Sequence, residues 1–358
     1  MTDASRLEQA LVEVGTQLAS SGYRFWAPTP ETHAKVVARL TDEQARLPTA
    51  TTRQDLWGWS LPLGHSSSLL SGLSSVAQEA LLAPSSSSQQ RRPLARFSSL
   101  YPSASSHSLQ QVLYAHSPWP TTDTDAVFFG PDTYRFLRFL DAALGREKGR
   151  SFRLAVDVGC GAGAGAIHLA AAGLSGGGAA PDEKACERVV GLDINERAFT
   201  FARANAALHR SLSASSGGAE VEWRKSDLFS ALSHDELDQL DLVISNPPYI
   251  AFDAGKGSTY ADGGEQSGLA LPVLIARQAL ERLSRGGLCM LYTGVPIGLD
   301  GSDPLRAALE AEQDRAELVY YDVMDVDVFG DELRDAEGAY GRSGVGQIAV
   351  IGAVVRKR

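Results

Sequence analysis

The chain has 358 residues, of which 44% are hydrophobic and 21% are charged, a composition typical of folded proteins long enough for two domains. Its 33 Lys and Arg residues against 43 Asp and Glu residues give a net charge of −10, which argues against binding to nucleic acid through general electrostatics. The sequence has no apolar run of membrane-spanning length, and its three cysteines lack metal-binding or disulfide spacing. We therefore expect a cytoplasmic protein that has no metal site and does not act at a membrane.

Residues 1–120 predict a mainly helical N-terminal domain. Ser5 and Glu8 have the spacing of a helix capping box. The apolar residues of this segment would share one helical face: Leu7, Leu11, Val14 and Leu18. A second helix is predicted to begin at Pro30, because Thr29 can cap it and proline can occupy the first helical position.

The segment PSSSSQQRRP at 84–93 has no hydrophobic residue, so it predicts a mobile connection rather than a packed element. Arg91, Arg92 and Arg96 could contact an anionic partner here, although a solvated loop is the simpler interpretation of three arginines. Residues 1–130 carry nine basic and ten acidic residues, and 9 − 10 gives −1, whereas the remainder carries 24 − 33, or −9. Any polyanion would therefore have to dock through the N-terminal region.

Residues 121–358 predict a second domain, in which apolar runs alternate with helical segments from residue 152 onward. The predicted strands are 153–158, 188–193, 219–224, 240–245, 288–293, 317–323 and 347–355. The predicted helices are about 163–172, 196–209, 268–285 and 303–313. This alternation predicts an α/β fold with a mostly parallel seven-stranded sheet and helices on both faces. Ligands bind such sheets at the carboxyl ends of the strands.

A glycine-rich loop follows the first predicted strand. It begins after Asp157 and contains Gly159, Gly161 and Gly163 before an alanine-rich helix. Glycines let the chain turn tightly and let a ligand approach the backbone. Loops of this kind bind nucleotide-like cofactors, and some serve only the packing of helix on strand.

Acidic residues follow the next two strands. Asp193 could accept hydrogen bonds from both hydroxyls of a ribose, or it could cap the following helix. Asp227 could accept a hydrogen bond from an adenine amino group while Leu228 contacts the ring, or the two residues could form an ordinary turn.

The fourth predicted strand ends in Asn246-Pro247-Pro248-Tyr249, the NPPY motif. Two prolines cannot continue a strand ladder, so they form a stiff turn that leaves the Asn246 side chain and the Pro247 carbonyl facing the strand-end crevice. These two acceptors could hold both N–H bonds of an amide or amino group and aim its lone pair at an electrophilic carbon. Tyr249 could stack on a flat substrate group.

These four motifs, on successive strand ends and in this order, resemble those of the class I S-adenosylmethionine-dependent methyltransferases. More narrowly, DLVISNPPYI and the later glycines Gly263, Gly264 and Gly268 resemble the HemK/PrmC release-factor glutamine methyltransferases and other NPPY enzymes of the methyltransferase small domain group. The resemblance covers about residues 125–356. It implies a Rossmann-like class I methyltransferase fold and S-adenosylmethionine as the cofactor.

The resemblance also implies a role for each motif. The cofactor-binding residues would be Asp157, Gly159, Gly161, Gly163, Asp193, Asp227, Leu228 and Asn246. Asn246, Pro247 and Tyr249 would be the catalytic residues that orient the nitrogen. In related methyltransferases the segment before the first strand covers the cofactor, so the candidate substrate-binding residues are Phe129, Tyr134 and Arg135, together with Pro248.

We therefore predict an enzyme that transfers a methyl group from S-adenosylmethionine to a planar amide or amino nitrogen. The HemK-like motifs put a glutamine side chain of a protein or peptide first among the substrates. A base amino group of rRNA or DNA comes second, with nucleic acid docking through the N-terminal region. A small molecule or natural-product peptide comes third, with the N-terminal domain as recognition module or lid. A methyltransferase-fold subunit that only binds a partner is the non-enzymatic alternative.

Overall fold

The computed structural model describes residues 2–43, 46–64, 68–84, 90–100, 112–147, 149–171, 185–212, 219–251, 262–265, 267–334 and 338–358. The chain divides into two compact units. Unit 1 comprises residues 1–134, 161–164 and 196–216, and unit 2 comprises residues 135–160, 165–195 and 217–358. The predicted domain boundary between residues 120 and 121 stays a prediction.

The helices and strands are numbered here in chain order. The α-helices are α1 Asp3–Ser20, α2 Pro30–Leu40, α3 Arg53–Trp57, α4 Ser75–Leu81, α5 Pro131–Leu144, α6 Ala164–Ala171, α7 Glu196–Leu212, α8 His234–Leu237, α9 Ala270–Arg282 and α10 Pro304–Glu310. The β-strands are β1 Leu82–Pro84, β2 Arg91–Pro93, β3 Arg96–Leu100, β4 Val112–His116, β5 Phe152–Val158, β6 Cys186–Asp193, β7 Val221–Lys225, β8 Leu240–Ser245, β9 Leu288–Gly298, β10 Ala316–Asp325 and β11 Val345–Lys357.

In unit 1, helix α1 packs against α7 and buries the apolar face that its sequence predicts. The two helices approach so closely that a Cβ at Gly15 would lie 2.6 Å from the Leu208 side chain. The predicted capping box at Ser5 and Glu8 is wrong. Thr2 caps the helix instead, because its side chain accepts a hydrogen bond from the Ser5 amide at 3.2 Å. Helix α2 begins at Pro30 as predicted.

Unit 1 also contains two antiparallel strand pairs, β1 with β2 and β3 with β4, which the helical prediction misses. The prediction of an unpacked connection over 84–93 is therefore wrong for residues 91–93, while residues 85–89 lie outside the described residues. The Arg91 side chain donates to the Gln78 carbonyl at 2.6 Å near the end of α4, where carbonyls lack helical partners. Arg96 is buried, so the three arginines do not form a solvated cluster.

The sheet of unit 2 has seven strands in the order β10-β11-β9-β8-β5-β6-β7. The strands from β9 to β7 in this order are parallel, and β11 pairs antiparallel with both β9 and β10. This arrangement confirms the prediction of a mostly parallel seven-stranded sheet. It also makes this the Rossmann-like class I methyltransferase fold that the sequence predicts.

Helices cover both faces of this sheet because side chains alternate along each strand. On one face, Val156 of β5 belongs to the same apolar cluster as Ile275 and Ala279 of α9. On the opposite face, a Cβ at Gly165 of α6 would lie within 3.0 Å of the side chains of Asp157 and Phe136. The prediction of helices on both faces is therefore confirmed within unit 2.

Candidate functional site at the carboxyl ends of the strands

The carboxyl ends of β5, β6 and β8 lie at one edge of the sheet. Val158, the last residue of β5, is in register with Leu192 of β6 and with Ser245 of β8. The glycine loop, Asp193 and the NPPY motif begin directly after these positions. The parallel register therefore brings the predicted motifs of unit 2 to a single edge, where ligands bind in open α/β sheets.

Hydrogen bonds between neighbouring loops fix these strand ends. The Ser245 side chain is fully buried and donates to the Val158 carbonyl at 2.7 Å. This hydrogen bond joins the start of the glycine loop to the start of the NPPY motif. In the same way, the Ser226 amide donates to the Asp193 carbonyl at 2.9 Å. The role of Ser245 was not predicted from sequence. The available signal was a hydroxyl side chain at the end of a buried apolar strand.

The glycine loop has a backbone conformation that leaves room for a ligand directly against the chain. Gly159, Gly161 and Gly163 have φ values of +72°, +50° and +82°, which residues with side chains rarely adopt. A Cβ at Gly159 or Gly161 would meet no atom within 4 Å, so these two positions face open space. The loop therefore fits a group that lies along its backbone.

Asp157 lies beneath this loop and is only 2% exposed. Its carboxylate accepts a hydrogen bond from the Ala166 amide in the first turn of α6 at 2.8 Å. Burial raises the pKa of Asp157 to about 7, and the negative charge of Asp193 contributes in the same direction. In the structure Asp157 anchors the start of α6; its contact with a cofactor stays a prediction.

The raised pKa predicts a pH-dependent contribution to stability. The pKa of Asp157 is about 7 in the folded chain and 3.8 without its environment. Between these values the folded protein keeps a proton that the unfolded chain loses, so the free energy of unfolding falls as pH rises. The loss from this group is up to about 4 kcal/mol. We expect Asp157→Asn, which keeps an acceptor for Ala166, to remove this loss when denaturant unfolding is measured from pH 4 to pH 8. If the free energy of unfolding depends on pH identically in the variant and the wild type, the raised pKa of Asp157 is wrong.

Gly165 is a second residue that sequence reasoning missed. A Cβ there would lie 2.7 Å from Asp157 Oδ2 and 2.9 Å from both Ile244 Cδ1 and Phe136 Cε1. We expect Gly165→Ala to lower the free energy of unfolding by about 2 kcal/mol, since overpacking costs about 3 kcal/mol and helix propensity returns about 1. Gly330→Ala is the matched control, because a Cβ at Gly330 meets no atom within 4 Å. Equal denaturation midpoints for both variants would refute this role.

Asp193 and the loop after β7 form the middle of the site. Asp193 is half-buried, and its Oδ1 accepts a hydrogen bond from the Asn195 amide at 2.9 Å, so it caps the following turn as well as facing the strand-end edge. Asp227 is exposed. Leu228 has a φ of +49°, a strained conformation for a residue with a side chain. The Ser226 hydroxyl donates a hydrogen bond to the Leu228 carbonyl at 2.6 Å. Strain of this kind is concentrated at functional sites.

The NPPY motif presents two acceptors. Asn246 is half-buried, and its side chain has no hydrogen-bond partner among the residues that the structure describes. Within the same residues, no backbone amide donates to the Pro247 carbonyl. Pro247 is buried and Pro248 is half-buried. The turn therefore holds one amide and one carbonyl oxygen that can accept hydrogen bonds from a ligand.

Two glycines pack closely against Tyr249. Its ring is 7% exposed, and a Cβ at Gly294 of β9 would lie 2.3 Å from it. A Cβ at Gly268 would lie 2.2 Å from the Tyr249 carbonyl, so the glycine stretch after the motif packs on the motif's backbone. The Phe329 ring lies 5.9 Å away, centroid to centroid. Gly294 was not predicted from sequence, because its neighbour is 45 residues away in the numbering.

The candidate substrate-binding residues before β5 are engaged inside their own units. In unit 1, Phe129 is 2% exposed and stacks on Tyr114 at a centroid distance of 5.4 Å. The Tyr134 hydroxyl accepts a hydrogen bond from the Ala27 amide at 3.2 Å. In unit 2, Arg135 forms an ion pair with Asp325 at 2.7 Å. Their contact with a substrate stays a prediction.

No helix in the described part of the chain has the length and apolar character needed to cross a membrane. No cluster of His, Cys, Asp or Glu side chains in the same residues has the arrangement of a metal site.

Comparison with known proteins finds a family match over one part of the chain. Residues 137–288 match the family model described as the methyltransferase small domain. The release factor glutamine methyltransferase of Lactococcus lactis subsp. lactis (strain IL1403) is 31% identical over 156 residues, which cover 40% of this chain and 48% of that protein. The chain thus spans about half the length of this curated relative.

Solved structures of methyltransferases are also similar to the chain. The Thermus thermophilus 16S rRNA N2 G1207 methyltransferase gives a TM-score of 0.41 at 17% identity, over 79% of this chain and 61% of that one. The ribosomal protein L11 methylase of Lactobacillus delbrueckii subsp. bulgaricus gives 0.37 at 16% identity, over 64% of this chain and 81% of that one. The fold assignment rests on the strand order of this chain and not on these scores.

Proposed function

Since residues 137–288 of this chain match the methyltransferase small domain family model, we propose that the protein is an S-adenosylmethionine-dependent N-methyltransferase. The observation that carries the proposal is the pair of acceptors at the end of β8, the Asn246 side chain and the Pro247 carbonyl. When bound, the cofactor supplies an electrophilic methyl group. The glycine loop would lie along its methionine part, Asp193 would accept from its ribose hydroxyls, and Asp227 with Leu228 would meet the adenine.

The chain's own residues explain why the acceptor is a planar nitrogen. An amide or aromatic amino nitrogen is a poor nucleophile because its lone pair is delocalised. The Asn246 side chain and the Pro247 carbonyl would accept hydrogen bonds from its two N–H groups. These two hydrogen bonds would fix the direction of the lone pair toward the methyl group that is transferred. The nitrogen can lose its proton to solvent after attack, so this scheme needs no strong base on the protein.

We propose a glutamine side chain of a protein as the substrate. The 31% identity with a release factor glutamine methyltransferase over 156 residues supports this choice, as does the packing of Gly268 on the NPPY backbone. A salt titration of substrate binding tests it against a nucleic-acid substrate. We expect a flat response, because a polyanion bound through phosphates would lose affinity steeply with salt. A steep loss would favour a base amino group of RNA or DNA.

The cytoplasm is the proposed location, because Cys160, Cys186 and Cys289 are all free thiols and all buried.

Calorimetric titration with S-adenosylmethionine tests the enzymatic proposal against the non-enzymatic one. We expect saturable binding with a dissociation constant in the micromolar range, which corresponds to a binding free energy of about −8 kcal/mol. A protein that binds no cofactor at millimolar concentration would be a methyltransferase-fold binding subunit, and the proposed function would fall.

A further inference from the structure

Unit 1 contains a buried cation that has no acidic partner among the residues that the structure describes. Arg96 on β3 is only 5% exposed, and its Nε and Nη2 atoms have no hydrogen-bond partner among the same residues. The guanidinium carbon lies 5.3 Å from the centroid of the Phe25 ring, which covers one side. Burial lowers the pKa of Arg96 to about 10, so the side chain stays charged at neutral pH. A buried charge without a partner is costly, so this position is not explained by folding alone.

Among the described residues of unit 1, no acidic side chain forms an ion pair with Arg96. The titratable groups that interact with Arg96 among the described residues are Tyr23, Tyr134, His33 and His116. Burial raises the pKa of each tyrosine and lowers the pKa of each histidine, so all four are neutral at pH 7. The residues of unit 1 outside the described ranges contain no Asp or Glu in the sequence.

The two unpartnered nitrogens define the shape of the missing partner. Nε and Nη2 form one edge of the planar guanidinium, with two parallel N–H bonds spaced to match the two oxygens of a carboxylate. One carboxylate also balances the single positive charge. A phosphate dianion would bring a second negative charge that no cation among the interacting groups offsets.

The positive charge of Arg96 also acts on His33, which contains a second buried atom without a hydrogen-bond partner among the described residues. His33 is fully buried, and its Nε2 lies 3.0 Å from the Trp59 carbonyl oxygen, so Nε2 donates and Nδ1 is left as an acceptor. Within the described part of unit 1, Nδ1 has no hydrogen-bond partner. The ring stacks on Trp119 at a centroid distance of 4.6 Å. The site therefore offers two donors at Arg96 and one acceptor at His33.

We propose that unit 1 binds a carboxylate ligand, in which Arg96 donates to the two carboxylate oxygens and His33 accepts from an adjacent hydroxyl or N–H group. A free 2-hydroxy or 2-amino acid has this chemistry, and so does the carboxyl terminus of a peptide. The inference uses only residues of unit 1 and does not rest on the methyltransferase proposal.

Thermal unfolding and calorimetry of the full chain test the site with acetate, lactate and N-acetylalanine at constant ionic strength. At 100-fold excess over the dissociation constant, lactate should raise Tm by about 5 °C or more, and it should bind more tightly than acetate because its hydroxyl reaches His33. Binding of N-acetylalanine as well as lactate would identify a chain terminus as the ligand, and binding of lactate without N-acetylalanine a free acid.

Three variants make the result specific to Arg96. Arg96→Met should abolish the response and keep a Tm at or above that of the ligand-free wild type, because it removes an unpaired buried charge. Arg96→Lys keeps the charge without the paired donors and should weaken binding at least tenfold. Arg92→Gln, which changes an exposed arginine of β2, should leave carboxylate binding unchanged. The proposal is overturned if no carboxylate binds up to 100 mM (about the limit of weak binding), or if Arg96→Met binds like the wild type.

Discussion

Asn246→Ala should lower the single-turnover rate of methyl transfer by at least about tenfold while leaving the affinity for S-adenosylmethionine nearly unchanged. The variant removes one of the two acceptors that would fix the nitrogen, an orienting interaction worth on the order of 1.4 kcal/mol or more in the transition state. Asn246 is one of eight predicted cofactor-binding residues, and the other seven lie at the ends of other strands, so the affinity for S-adenosylmethionine should change little. Rapid-quench measurement with labelled cofactor gives the rate, and calorimetry gives the affinity.

Gln239→Ala is the matched control for this variant. Gln239 is also an amide side chain beside β8, but it precedes the strand at the amino end, where it donates to the Asp235 carbonyl at 3.2 Å. We expect its transfer rate to equal that of the wild type. If Asn246→Ala retains full activity, or if both variants lose activity equally, the orienting role of Asn246 is wrong.

Asp193→Ala should weaken binding of S-adenosylmethionine by about 100-fold or more. A carboxylate that accepts from both ribose hydroxyls makes two charge-assisted hydrogen bonds, each worth about 1.5–3 kcal/mol. The same variant loses the hydrogen bond to the Asn195 amide, which contributes about 1 kcal/mol to the turn. Calorimetric titration measures the first effect and denaturant unfolding measures the second.

Asp193→Asn separates the two effects. It keeps an acceptor for the Asn195 amide, so the free energy of unfolding should stay near that of the wild type. It loses the negative charge, so cofactor affinity should still fall by about tenfold or more. Wild-type affinity in both Asp193 variants would show that the residue serves only the turn.

The sheet of unit 2 could be predicted because its strands are continuous apolar runs, as buried parallel strands are. The strand β8, LDLVIS, is an example, and its predicted and observed bounds agree. The short strands of unit 1 could not be predicted in this way. β3, RFSSL, is polar at three of its five positions, yet four of its residues are buried, and β2 has only three residues. Their pairing depends on partners elsewhere in the chain and not on local pattern.

The motif residues of the candidate site could be named from sequence because each lies at or just beyond the end of its own strand. The residues that support them could not. Gly165 is required by Asp157 and Ile244, and Gly294 by the ring of Tyr249. In the sequence Arg96 is one of three arginines beside a polar loop, but in the structure it lies on β3 and is buried in unit 1. In each case the need arises from contacts between residues far apart in sequence.

Transfer of a labelled methyl group from S-adenosylmethionine into a cell extract tests the central claim most directly. The extract is separated into protein, nucleic-acid and small-molecule fractions after incubation with the wild type or with Asn246→Ala. We expect label in the protein fraction with the wild type, on a glutamine side-chain nitrogen, and at least tenfold less with the variant. Absence of label from every fraction, or equal labelling by the wild type and Asn246→Ala, would contradict an N-methyltransferase that works through the NPPY motif.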